Sequence, residues 1–243
     1  MSEREHDRMP YAVQVEFRTA SSFLVAYSVN LSRGGLFLET EADIPTGAQT
    51  DITLQVPGTP PIHLQGVIAW RRGVENAEGP PGLGIELIDA TPLNAVIDTL
   101  VARFHGVHIL VLSGDRQDRT TLARSIKSII STAEIMQAAD ASVAAALMTS
   151  EVDLAVIDVD YDADGGLKTL QAAKLLNPPV PTVAITANAS LREHARVAGA
   201  DELATNPPPF AELQVVLVRA LSKPVVVRGS GPNTIPPPTT SNT

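Results

Sequence analysis

An Arg4-x-x-x-Arg8 pair is followed, after a fixed interval, by the stretch Asn30-Leu31-Ser32-Arg33-Gly34-Gly35. A guanidinium forks onto guanine O6 and N7, stacks on the base and pairs with phosphate. Asn30 and Ser32 supply neutral hydrogen-bonding groups, and Gly35 admits a close backbone approach because it has no Cβ. These residue types in this order are able to converge on a guanine-bearing phosphate ligand. A second run, Asp160-x-Asp162-x-Asp164-Gly165, matches the first half of an EF-hand calcium loop. The bidentate Glu that such a loop needs at its twelfth position is Gln171, so the run reads as an acidic, solvated loop and no metal is expected. His6, His63, His105, His108 and His194 show neither metal-ligand spacing nor a partner nucleophile. The glycines form neither a dinucleotide fingerprint nor a phosphate-loop lysine motif, and the chain is expected not to be an enzyme.

Composition narrows the remaining classes. The chain has 243 residues with 44% hydrophobic content, enough for two ordinary cores. A net charge of -9 argues against a nucleic-acid surface built on bulk positive charge, and no basic recognition helix stands out. Cysteine is absent, which removes disulfides and thiolate metal sites. No apolar run approaches the ~18 residues that span a bilayer, and the N-terminus is polar where a signal peptide has an apolar segment. A cytoplasmic protein without membrane insertion is expected.

These side chains need elements to position them. Tyr11, Val13, Val15 and Phe17 alternate with polar or small neighbours, as in a half-buried strand. Further strands are expected at Leu36–Glu39, Ile52–Val56, Ile62–Leu64 continuing past Gly66 into Val67–Trp70, and Gly82–Leu87, punctuated by Gly and Pro. Strands at this spacing, of which six would suffice, predict a small antiparallel six-stranded β-barrel with Trp70 in its packing. Thr91-Pro92 then starts a helix whose apolar residues recur from Leu93 to Phe104. Beyond it, strands and amphipathic helices alternate five times between His108 and Leu221, predicting a doubly wound α/β domain with a five-stranded parallel sheet. The expected boundaries are 1–106 for the barrel with its C-terminal helix, 107–222 for the parallel-sheet domain, and 223–243 for a flexible tail containing Pro236-Pro237-Pro238.

The first domain resembles the PilZ family, the usual bacterial receptor module for cyclic di-GMP, over residue 4 to about residue 90. The resemblance rests on Arg4, Arg8, Asn30, Ser32 and Gly35, together with Trp70 and Gly82-Leu83-Gly84 in the closing strands. It implies that Arg4 and Arg8 sit on a mobile arm and engage guanine and phosphate. Asn30 and Ser32 would then bond the second guanine, with Gly35 at the close approach.

The second domain resembles the receiver domain of response regulators, a flavodoxin-like fold, over residue 108 to about residue 221. Asp158 stands at the end of its strand, where that family carries the phosphoacceptor, and Thr186 ends the next strand, at the switch hydroxyl position. The remaining chemistry departs from the family. Phosphoryl transfer to a carboxylate needs a divalent cation held by an acidic pair, but those positions read Ser113-Gly114, with Asp115 one step beyond. The phosphate-pairing lysine is replaced by Asn206. The resemblance therefore implies a pseudo-receiver.

The expectation from sequence is a non-enzymatic signalling adaptor that binds cyclic di-GMP through the first domain and docks an unidentified protein partner through the second. The alternatives are a phosphorelay regulator using Asp158 with the barrel as output, and an interaction scaffold that binds no nucleotide.

Overall fold

The computed structural model describes residues 11–31, 35–74 and 81–230. In the first domain the expected alternation builds β1 (Tyr11–Glu16), where Val13 and Val15 are buried. Thr19 then begins a helix that alternation did not predict, α1 (Ala20–Ala26). Its cap is reciprocal: Ser22 N donates to Thr19 Oγ1 at 3.0 Å and Thr19 N to Ser22 Oγ at 3.2 Å. Phe23 is fully buried and meets Phe17 edge to face at 5.2 Å. A π-helical segment, Tyr27–Leu31, continues α1. Next come β2 (Gly35–Glu39), β3 (Gln49–Gln55), β4 (Ile62–Arg72), β5 (Gly82–Leu87) and α2 (Thr91–Ala102).

Two expectations are corrected here. The run expected from Ile62 past Gly66 to Trp70 is one continuous strand, β4, and this stretch of chain supplies five of the six strands. The sixth, β11 (Val226–Ser230), comes from the segment expected to be a flexible tail, and pairs antiparallel with β1. β1 also pairs with β3, in parallel, so the sheet is mixed and not the antiparallel barrel expected. Its order is β11-β1-β3-β4-β5-β2, with β11 and β2 as its ends. Composition marks 223–243 as polar, but Val225, Val226 and Val227 hold enough β-branched surface to complete a strand once β1 offers its free edge. Residues 231–243 lie outside the described residues.

The second domain follows its periodicity closely. β6 (Val107–Leu112), β7 (Ala133–Ala138), β8 (Leu154–Asp158), β9 (Thr182–Ile185) and β10 (Glu202–Ala204) form an all-parallel sheet in the order β10-β9-β8-β6-β7. That is the flavodoxin-like doubly wound order. The helices are α3 (Arg116–Ile129), α4 (Ala141–Leu147), α5 (Ala163–Leu175), α6 (Ala189–Val197) and α7 (Phe210–Ser222). Four begin up to six residues earlier than apolar spacing suggests, because Asp115, Asp140, Asp162 and Asn188 each cap backbone amides of the first turn.

Between the domains, Arg18 is buried and donates to the carbonyl oxygens of Val152 (3.0 Å), Ser150 (3.1 Å), Thr149 (3.4 Å) and Pro178. Thr19 Oγ1 donates to Asp153 Oδ1 at 2.5 Å, while His108 N donates to Asp153 Oδ2 at 2.8 Å. Burial pushes the Asp153 carboxyl above its ordinary value, opposed by these donors and by the His108 and Arg18 charges. Lys223 pairs with Glu39 at 3.2 Å, and α1 packs on α7. The first turn after β1 thus ties the two domains together by buried polar contacts.

Candidate functional site

Of the residues proposed to hold a nucleotide, Arg4, Arg8 and Ser32 lie outside the described residues. Asn30 has a described backbone only, within the π-helical segment that leads to the edge strand β2. Gly35 opens β2 and pairs with Glu86 on β5. A Cβ there would stand 2.9 Å from the carbonyl oxygen of Ile85, so the close approach seen at Gly35 is to the neighbouring strand.

An aromatic group stands on the same face of β2. Phe37, two residues beyond Gly35, pairs with Gly84, and Gly84 pairs with Trp70 on β4, so the three form one row across the sheet. The Phe37 and Trp70 rings stack at 5.2 Å with an interplanar angle of 12°. The Arg72 guanidinium carbon lies 5.4 Å from each ring centroid. Trp70 is 43% exposed, which corrects the expectation of barrel packing. The cause is a register shift between Ile68 and Trp70: strict alternation from Ile62, Leu64 and Ile68 would turn Trp70 inward, and the irregularity turns it out. Gly84 makes the row possible, since a Cβ at that position would stand 2.2 Å from Trp70 Nε1.

At the carboxyl ends of β8, β9 and β10, Asp158 is buried. It accepts from Ser113 Oγ at 2.9 Å, from the amide of Asp160 at 3.0 Å and from Asn206 Nδ2 at 3.3 Å. Burial pushes its carboxyl above the ordinary value, the two donors Asp160 N and Ser113 oppose this, and the Asp160 and Asp118 charges add to it. Thr186, expected from sequence at the switch position, donates its hydroxyl to Asp160 Oδ1. Asp160 Oδ2 accepts from Ala187 N at 2.8 Å and from Asn206 Nδ2 at 3.0 Å. Burial acts to raise the Asp160 carboxyl, yet these donors together hold it below its ordinary value. Ser113 and Asn206, both expected from sequence to depart from the receiver pattern, thus both donate to the Asp158 carboxylate. Asp115 is spent as the cap of α3 and Asp162 as the cap of α5, which accounts for part of the calcium-like run. Among the described residues, no group of three or more His, Asp or Glu is placed to hold a metal ion.

Comparison with known proteins bears on the first of these regions. Residues 2–103 match the PilZ domain family. The PilZ match takes in the Arg4/Arg8 pair, the Asn30–Gly35 stretch and the Phe37–Trp70–Arg72 group. Among solved structures, 48% of the chain aligns with 99% of the signal receiver domain of a DNA-binding response regulator from Colwellia psychrerythraea 34H, at 17% identity and a TM-score of 0.44. It also aligns over 48% with 97% of the receiver domain of the Francisella response regulator 1452, at 21% identity and a TM-score of 0.42. A third similar structure is a putative pilus assembly protein from Burkholderia thailandensis E264, with 48% of this chain on 99% of that one, at 21% identity and a TM-score of 0.43. No curated protein matches the chain. No helix among the described residues is long and apolar enough to cross a membrane.

Sequence reasoning missed the roles of Asp160, Arg18 and Trp70. An Asp two positions past a strand end carries no local signal of which donors it will meet. Arg18 follows a strand, and its local sequence carries no mark of the four carbonyl oxygens it reaches. The outward turn of Trp70 depends on an irregularity that its side-chain pattern does not announce.

Proposed function

We propose that the chain is a non-enzymatic signalling adaptor in which the PilZ segment binds cyclic di-GMP and the receiver-like domain docks a protein partner without being phosphorylated. The observation that carries this reading is the PilZ match over residues 2–103, which includes both the arginine pair and the Asn30–Gly35 stretch. In this reading Arg4 and Arg8 close over the guanines and phosphates, Asn30 and Ser32 bond a guanine edge, and Gly35 keeps β2 flat against β5. Trp70 and Arg72 add a π face and a guanidinium on the face of the sheet shared with Gly35, chemistry that suits a stacked base.

Non-phosphorylation is supported by the neutral donors that already surround Asp158 and by Asn206 in place of a lysine. Isothermal titration of the full chain with cyclic di-GMP tests the reading. Binding in the micromolar range or tighter is expected. Arg8→Ala and Ser32→Ala should each weaken it about tenfold, because an unpaired buried guanine edge costs about 1–3 kcal/mol. Absence of heat at high protein concentration would leave the scaffold alternative in its place.

A further inference from the structure

We propose that Asp160 is a built-in anion: its carboxylate fills a cluster of converging donors at the carboxyl ends of β9 and β10 and thereby holds the turn that starts α6 in one fixed position. Three donors from two separate chain segments meet on this one side chain. They are the Thr186 hydroxyl, the Ala187 amide at 2.8 Å and Asn206 Nδ2 at 3.0 Å. None of the three is a cation, so the negative charge is held by oriented dipoles, the arrangement that binds oxyanions such as sulfate or phosphate.

The contact continues into the helix. Thr186 Oγ1, oriented by its donation to Asp160, accepts from Asn188 N at 3.0 Å, and Asn188 Oδ1 caps α6 through Ser190 N at 2.8 Å and Leu191 N at 3.4 Å. Position of the Asp160 carboxylate, direction of the Thr186 hydroxyl and start of α6 are one hydrogen-bonded chain. An internal carboxylate does permanently what a diffusing or transferred oxyanion would do only when present. The α6 face is then constant, whatever the state of Asp158. The proposal stands whether or not the sheet domain binds nucleotide.

Chemical rescue in the full-length protein tests it. Amide exchange at Ala187–Leu191 and the thermal midpoint are measured for the wild type and Asp160→Ala, with sodium sulfate against sodium chloride of equal ionic strength. The wild type should be protected in both salts. Asp160→Ala should exchange about tenfold faster at Ala187 and Asn188, as expected when a local opening loses its closing contact, and sulfate but not chloride should restore most of the protection and raise the midpoint. Thr186→Val, which deletes one donor and keeps the carboxylate, should loosen Asn188–Leu191 without any response to sulfate. The last variant decides the matter if Asp160→Ala does not fold. Wild-type exchange in Asp160→Ala without sulfate, an equal sulfate response in the wild type, or unchanged exchange in Thr186→Val would each overturn the proposal.

Discussion

The two halves of this chain dispose of their polar groups in opposite directions. On the mixed sheet, Phe37, Trp70 and Arg72 form a stacked row, and Trp70 is substantially open to solvent. At the ends of the parallel strands, Ser113, Thr186, Ala187 and Asn206 all point their hydrogen bonds at the protein's own carboxylates. The first arrangement leaves an indole partly open to solvent beside a guanidinium. The second is closed on itself, with each donor spent on Asp158 or Asp160. The contrast teaches that polar groups at strand ends can be satisfied from within: Asp158 stands at the end of β8 and accepts from Ser113, Asp160 N and Asn206.

The contrast breaks most severely if the mixed sheet loses its last strand. Deleting residues 223–243 removes the five registered pairs of β11 with β1. At about 0.5–1.5 kcal/mol net per hydrogen bond and about one bond per pair, the loss should be about 2.5–7.5 kcal/mol and should fall on the mixed-sheet domain. Denaturant unfolding followed by Trp70 fluorescence should show an early transition, while the parallel-sheet domain keeps its own.

Arg18→Ala comes next. It leaves four carbonyl oxygens between the domains without their donor, and about 2–4 kcal/mol of stability should be lost. Arg18→Lys should recover little, because an ammonium cannot reproduce the planar fork. Calorimetry should then resolve two transitions where the wild type shows more coupled unfolding.

Gly84→Ala sharpens the comparison from the sheet side. The added methyl group would stand 2.2 Å from Trp70 Nε1, so the indole must swing away and the row with Phe37 must open. A cost of about 1–2 kcal/mol is expected, together with weakened cyclic di-GMP binding and unaltered exchange at Ala187.

The smallest effects separate the two carboxylates by pH. Asp160 is held below the ordinary 3.8, so its contribution to stability is present above that value and is lost as pH falls through its folded value. Asp158 is held above 3.8, so its ionisation costs stability at neutral pH, and the cost is relieved as pH falls through its folded value. At pH 7, Asp158→Asn should therefore leave the thermal midpoint unchanged or slightly raised. Asp160→Asn should lower it, by well under ~1 kcal/mol after allowance for solvent screening. Once pH has fallen below the folded value of Asp160, itself under 3.8, the two variants should converge.

How far each half was legible follows from how local its determinants are. β8 and β9 are buried throughout and read as continuous apolar runs, and their order follows from the right-handed crossover rule. The helix starts at Asp115, Asp140, Asp162 and Asn188 were also written in the chain as capping residues, although apolar spacing alone placed them late. In the mixed sheet the decisive facts are non-local. Whether Val226–Ser230 becomes a strand depends on the free edge of β1, far away in sequence. The direction of Trp70 depends on pairing between β4 and β5. α1 was hard to read because Phe23-Leu24-Val25-Ala26-Tyr27 is a short continuous apolar run that fits a strand as well as a helix, while the Thr19/Ser22 cap is what starts a helix there. Among the site residues, the departures at Ser113 and Asn206 were legible as losses; their gain, as donors to Asp158, needed the folded geometry.

Amide exchange across the whole chain, with and without saturating cyclic di-GMP, tests the contrast most directly. Slowed exchange is predicted in residues 4–9 and along 30–37, with Ala187–Leu191 unmoved, since one region receives the ligand and the other is already closed. Protection centred on Ala187–Leu191, or no change along 30–37 under saturating ligand, would contradict the account.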